Sequence, residues 1–412
     1  MSQPQLDLTY VRSQFPAFSV PALEGKAFFE NAGGSYACGP VIDRLTRFYR
    51  ERKVQPYAPY EAGRLGGEEM DEARARLAAM MGIATDELSF GPSTTANTFV
   101  LSQAFRRFLN PGEAIVVTDQ DHEANSGPWR RLGEEGIEVR EWKIDPETGH
   151  LNPERLKPLL ADGKVRLVAF PHCSNVVAEI NPVAEIVALA HAAGAATCVD
   201  GVSYAPHGIP DVGALGADIY LFSAYKVYGP HQGIMAIRRD LGMRLPNQGH
   251  WFNGDTLYKR FTPAGPDHAQ VAASAGMADY FDALHAHHFL RAETDPRQRG
   301  QQVHDLIRAH EVATIQPLLD YLAARNDLRL LGPRDAARRA PTVAVALDRA
   351  AEPVSAELAK RGINCWAGDF YAVRPLTAMG VDLDKGVLRM SAAHYTSGED
   401  VARLIAALDK VL

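Results

Sequence analysis

Five polar groups stand where short apolar runs end: Ser93-Thr94-Thr95, His122, Ser174-Asn175, Asp200, and Ser223-Ala224-Tyr225-Lys226. Each offers a different piece of chemistry. A lysine closing the run IYLF and preceding the turn residues VYGPHQG projects its ammonium into a cleft. There desolvation lowers its pKa and makes the amine a nucleophile toward an aldehyde. Asp200 closes the apolar run AATCV, where a carboxylate is costly unless a cation faces it. A pyridinium nitrogen is such a cation. The run Ser93-Thr94-Thr95 opens a helical segment, and free backbone N–H groups, hydroxyls and the positive end of the helix dipole together favour a phosphate. Taken singly these are a solvated lysine, a salt-bridged aspartate and an ordinary helix cap. Taken together they suit one small molecule bearing an aldehyde, a pyridine ring and a phosphate, which is pyridoxal 5'-phosphate, whose ring serves as an electron sink for carbanions.

The elements that must position these groups are legible in the patterning. Between about 86 and 240 the runs ELSFG, AIVVTD, IEVREWKI, VRLVAFPH, ATCVDG, IYLFSAY and GIMAIRR read as strands, with helical segments such as TTANTFVLSQAFRRFL and PVAEIVALAHAAG between several of them. That alternation predicts an α/β fold with a mostly parallel seven-stranded sheet covered by helices on both faces. Such sheets bind ligands at the carboxyl ends of their strands, which is where the five groups stand. Residues 241–275 are rich in Gly, Pro and Asn and read as a long functional loop. Beyond them a long amphipathic helix over QQVHDLIRAHEVATIQPLLDYLAARN, strands at TVAVAL and VLRMS, and a terminal helix at GEDVARLIAALDKVL predict a smaller α+β C-terminal domain. The division expected is an N-terminal arm at 1–25 packing on the small domain, a large cofactor-binding domain at 26–275, and a small domain at 276–412.

Bulk properties narrow the function classes. A chain of 412 residues with 46% hydrophobic and 23% charged content is a globular protein of two or three packed units. Its formal net charge of -7, with both signs dispersed, argues against nucleic acid or an anionic membrane as partner. No apolar run spans a bilayer and the first residues lack the order of a signal peptide, so a cytoplasmic location is expected. The four cysteines (Cys38, Cys173, Cys198, Cys365) form no CxxC pair, so reduced thiols are expected and no metal site. No GxGxxG follows the first strand, which disfavours a nicotinamide-binding protein.

The ordered series NAGG (Asn31 to Gly34), STT (Ser93 to Thr95), DHEAN (Asp121 to Asn125), SN (Ser174-Asn175), DG (Asp200-Gly201), SAYK (Ser223 to Lys226) and RMSAAHY (Arg389 to Tyr395) resembles the class V aminotransferase family, most of all its cysteine-desulfurase-like branch. The resemblance covers nearly the whole chain. It implies the fold type I architecture of pyridoxal-phosphate-dependent transferases and a homodimer. It further implies that Lys226 holds the cofactor as a Schiff base, Asp200 pairs with its pyridine nitrogen and His122 stacks on its ring. Thr94, Thr95, Ser223 and Tyr225 would hold the phosphate, with Ser203 a further cofactor contact. Asn175 would sit beside the 3-oxygen or the substrate carboxylate, Arg389 would clamp that carboxylate, and Asn31 would lie on the substrate side. A guanidinium is suited to such a clamp because it grips a carboxylate bidentately. His122 is also expected to relay protons, from the ordinary pKa of imidazole near neutrality. Ser35, Tyr36 and Arg64 to Gly67 are placed on the substrate side, and His207, His231 and His394 lie near motifs.

The sequence departs from the desulfurase pattern in the loop GINCWAGDFYAVRPL. Tyr371 falls at the place of that branch's loop cysteine, and Cys365 lies several residues earlier. Tyrosine cannot replace a thiolate nucleophile, so a persulfide-forming reaction is not expected. Tyr225 stands where desulfurases have His, and Pro266 where the family has a Thr reaching the neighbouring subunit's phosphate. The expected function is a carbon-sulfur lyase reaction at the β-carbon of an amino acid. An aminotransferase or epimerase is the alternative, and a non-catalytic relative serving as an interaction platform is the alternative of another class.

Overall fold

The computed structural model describes residues 4–412, so residues 1–3 of the expected arm lie outside the described residues. The first strand, β1 (Ala27–Phe28), is two residues long. The large sheet follows: β2 (Leu88–Gly91), β3 (Ala114–Thr118), β4 (Glu138–Trp142), β5 (Val165–Pro171), β6 (Ala196–Asp200), β7 (Ile219–Ser223) and β8 (Gly233–Ile237). Its order is β2-β8-β7-β6-β5-β3-β4. Every pairing is parallel except those of β8 with β2 and β7. The seven strands read from sequence are therefore all present, and the fold is α/β with a mostly parallel seven-stranded sheet. The central strands are buried but for Arg166 of β5 and Ala196 of β6, as expected of apolar runs covered on both faces.

The helix Thr94–Phe108 shows how one element sets the site. Ser93 caps it, accepting the Ala96 N–H at 3.1 Å. Leu101 and Phe105 pack in one core with Ile219 and Leu221 of β7 and Met235 of β8, each such side chain contributing about 1.5–3 kcal/mol. The helix is thereby locked onto the sheet with its N-terminus beside the ends of β7 and β2. Gly233 permits the closest approach: a Cβ there would lie 2.4 Å from the Ser93 carbonyl carbon.

The second sheet holds β9 (Leu328–Leu330), β10 (Thr342–Leu347), β12 (Trp366–Gly368) and β13 (Val387–Ser391) in the order β12-β13-β10-β9. The intervening β11 (Ile363–Asn364) pairs in parallel with β1. Ala27 and Phe29, assigned from sequence to the large domain, thus pack in the C-terminal core with Ile363 and Leu388. The long helix Pro296–Ala323 serves both cores: Val303 and Ile307 belong to the first, Ile315 and Leu318 to the second. The arm bridges them. Arg12 donates to the Tyr395 carbonyl at 2.9 Å and pairs with Asp400, while the Asp7 N–H donates to His288 at 2.8 Å. The segment 241–275, expected as one long loop, contains the short helices Leu257–Arg260 and His268–Ala273.

Candidate active site

Strand ends β2, β5, β6 and β7 converge on an inner cavity lined by Thr94, Thr95, His122, Asn175, Asp200, Ser203, Ser223, Tyr225 and Lys226, together with Cys173. All the cofactor contacts expected from sequence therefore share one enclosure. The start of the helix Thr94–Phe108 is tied to the end of β7 by a hydrogen bond between the Thr94 and Ser223 hydroxyls, 2.8 Å apart. Tyr225 is half-buried and stacks on His231, ring centroids 4.7 Å apart.

Burial sets the charge states. Lys226 is 8% exposed, and burial with the nearby Arg389 charge lowers its pKa to about 8, against the opposing pull of Asp200 and Glu30. Asp200 is pushed up to about 6 by burial, although the Val202 N–H, donating to it at 2.9 Å, and the Lys226 charge act in the opposite direction. His122 departs from expectation. Burial, and then the charges of Lys226 and Arg389, lower its pKa to about 3, well below the near-neutral value on which the proton relay was expected. Its Nδ1 accepts the Ala124 N–H at 3.0 Å, which leaves Nε2 to carry the proton of a neutral ring.

Beside Lys226 opens an outer cleft of about 550 Å³, lined also by His122, Asn175, Tyr225, Arg389, Trp366, Phe370 and Tyr371. Arg389, on β13, is 3% exposed. Its guanidinium lies 3.7 Å over the Phe370 ring, donates to Glu30 Oε1 at 2.6 Å and approaches the Asn175 carbonyl at 3.4 Å, while its Nε has no partner. The Asn175 Nδ2 donates to the Phe370 carbonyl at 2.9 Å, and its Oδ1 is buried without a partner. Glu30 was missed from sequence. The signal was there: a carboxylate closing the apolar run AFF, the feature that singled out Asp200.

Several expected residues stand elsewhere. Asn31 spends its amide inside the protein, donating to the Ser391 carbonyl at 2.9 Å and accepting from the Tyr395 hydroxyl; Glu30, one residue earlier, takes its place at the outer cleft. Ser35 donates to the Lys226 carbonyl at 2.8 Å and Tyr36 stacks on Phe28, so both support the site from behind. Arg64 to Gly67 lie within the helix Glu61–Met80, where Gly67 packs under the Tyr57 ring. His207 pairs with Glu311 at 2.7 Å, and His394 bonds the hydroxyls of Tyr228 and Tyr280. Neither lines the outer cleft. All four cysteines are free. Cys365 does not line the outer cleft, and burial pushes its thiol up to about 12. Cys173 does line the inner cavity, but its thiol, also pushed up to about 12 by burial, donates to the Ala178 carbonyl at 3.2 Å.

The sequence profile described as aminotransferase class V matches residues 27–404. The chain belongs to the class V aminotransferase family. It is 33% identical to the aminotransferase-like protein FGM3 of Gibberella zeae over the full length of both chains. It is 30% identical to the cysteine desulfurase of Serratia proteamaculans over 97% of each. Among solved structures it resembles the cysteine desulfurase CsdA of Escherichia coli, with TM-score 0.80, 23% identity and 98% of each chain covered. It also resembles the apo cysteine desulfurase of Thermococcus onnurineus NA1, with TM-score 0.84, 20% identity, and 100% and 99% of the two chains covered. This class V member lies on the cysteine-desulfurase-like branch and is a pyridoxal-phosphate-dependent enzyme. Its own residues fit that cofactor. The inner cavity combines a capped helix N-terminus with hydroxyls, a buried carboxylate, a buried amine of lowered pKa and an amide oxygen with no protein partner. Among the described residues no helix is long and apolar enough to cross a membrane.

Proposed function

We propose that this enzyme is a carbon-sulfur β-lyase that acts on an amino acid at Lys226 without a cysteine nucleophile. The observation that carries the reading is the outer cleft: Tyr371 lines it, 71% exposed, and no thiol does. When bound, pyridoxal phosphate supplies an electron sink for negative charge developing at the substrate's α-carbon. Lys226 would hold the group covalently, and its Nζ, with a pKa near 8, is suited to take and return the α-proton. Asp200 would face the pyridine nitrogen. The N–H groups at the start of the helix Thr94–Phe108 and the hydroxyls of Thr94, Thr95, Ser223 and Tyr225 would hold the phosphate, with Ser203 a further cofactor contact. His122, neutral, would stack on the ring rather than titrate. Arg389 offers its free Nε to the substrate carboxylate, and the Asn175 Oδ1 awaits a donor.

Incubating the holoenzyme with L-cysteine or an S-alkyl cysteine tests the reading. A lyase consumes one water and yields pyruvate, ammonia and sulfide or thiol in equal amounts, with no mass gained by the protein and near-normal turnover in Cys365→Ser. A keto acid retaining the sulfur substituent would indicate an aminotransferase, and an inverted amino acid an epimerase. A persulfide on Cys365 with loss of turnover in the serine variant would make the protein a cysteine desulfurase.

The same reading takes the enzyme as a cytoplasmic homodimer. The unpaired cysteines support the first, since such thiols persist in a reducing compartment. Trp251 and Phe252, 88% and 66% exposed, support a covered surface. It also keeps the arm, large domain and small domain, with the hand-over placed inside the helix Pro296–Ala323.

A further inference from the structure

The charged groups facing the outer cleft are two cations, Lys226 and Arg389, and two carboxylates, Glu30 and Asp369. In the reading just given, on which this inference rests, Lys226 is committed to the cofactor and Arg389 to the substrate's α-carboxylate. What then remains beside the substrate's side chain is negative. Glu30 Oε1 is bonded to Arg389, but its Oε2 is buried with no partner. An unpaired carboxylate oxygen away from water needs a donor, and a charged donor serves it best.

The walls add a second preference. Trp366 and Tyr371 are 60% and 71% exposed at the cleft, and Trp366 meets Phe370 edge to face with centroids 6.0 Å apart. Aromatic faces attract cations, and Phe370 already holds one, the Arg389 guanidinium. Because Glu30 neutralises Arg389, an incoming α-carboxylate meets a guanidinium whose charge is already balanced. A second positive charge on the substrate restores that balance.

We infer that the enzyme's substrate is an amino acid whose side chain carries a cation, an ammonium or guanidinium, recognised by Glu30 and by the aromatic rim of Trp366 and Tyr371. An anionic side chain would face two carboxylates, and a neutral one would leave the Glu30 oxygen unpaired.

Calorimetric or spectral titration of the holoenzyme with matched pairs lacking a leaving group tests this: ornithine against norvaline, lysine against norleucine, with glutamate as the anionic control. The cationic member of at least one pair should bind tenfold or more tightly than its neutral partner, and glutamate weakest. Glu30→Gln keeps an acceptor for Arg389 but removes the charge, and should bring each pair within about twofold by weakening the cationic member relative to its neutral partner. Equal or tighter binding of the neutral members in the wild type would overturn the inference. So would a Glu30→Gln protein that loses affinity for every amino acid alike, which would make Glu30 a positioning residue for Arg389. Failure of all these amino acids to bind, together with failure of the cysteine turnover test above, would instead remove the reading of Lys226 and Arg389, and this inference with it.

Discussion

Thr94 and Ser223 are 129 residues apart in sequence, yet their hydroxyls are hydrogen-bonded at 2.8 Å and buried. The bond fastens the helix start that follows β2 to the strand end that carries Lys226, so the anion-binding and amine-bearing halves of the inner cavity move as one piece. Removing either hydroxyl leaves the other buried without its partner, at a cost of about 1–3 kcal/mol. Thr94→Val and Ser223→Ala should each lower the melting temperature and weaken retention of pyridoxal phosphate, measured by fluorescence titration of the cofactor-free protein. Unchanged cofactor affinity in both would place the phosphate elsewhere.

The lowered pKa of Lys226 makes two pH-dependent predictions. Only the free amine attacks an aldehyde, so the rate at which cofactor-free protein captures pyridoxal phosphate should rise with pH and level off above about 8. The product should be yellow, and borohydride should fix it at Lys226.

Folding stability is linked to the same proton. Between pH 8 and the ordinary lysine value near 10.5 the unfolded chain holds the proton and the folded one does not, so stability rises with pH across that window. Below pH 8 the penalty is complete, on the order of 3 kcal/mol. Cofactor-free Lys226→Met should therefore melt above wild type at pH 7, with the advantage shrinking from pH 8 to 10.5. A constant difference would show that the ammonium is not desolvated.

Arg389 should govern substrate but not cofactor. Arg389→Lys keeps the charge but loses the planar fork that serves Glu30 and a carboxylate together. It should weaken amino-acid binding by tenfold or more while the visible spectrum of the bound cofactor is preserved. Affinity unchanged from wild type would take Arg389 out of the site.

His122 should stay neutral. With burial holding its pKa near 3, the ¹⁵N shifts of its imidazole should be flat from pH 5 to 9 in the cofactor-free protein. A midpoint near 6.5 would restore the proton-relay role that burial argues against.

Sequence by itself determined the seven strands of the large sheet: the buried ones are nearly continuous apolar runs bounded by turn residues, and the edge strand β4 keeps Val139 and Trp142 among charged residues. It also determined which residues line the inner cavity. A polar residue placed directly after such a run has nowhere to go but the sheet's carboxyl edge, so Thr94, His122, Asn175, Asp200 and Lys226 were forced into one place. What depended on distant partners was not legible. The Glu30–Arg389 pair joins residues 359 positions apart, and the hydrogen bonds that consume Asn31 come from Ser391 and Tyr395. A single residue's shift along the chain exchanged the cleft-facing group for the internal one. The charge state of His122 was equally a matter of tertiary structure, because an imidazole's pKa is set by desolvation and by charges such as Lys226 and Arg389, brought to it only by folding.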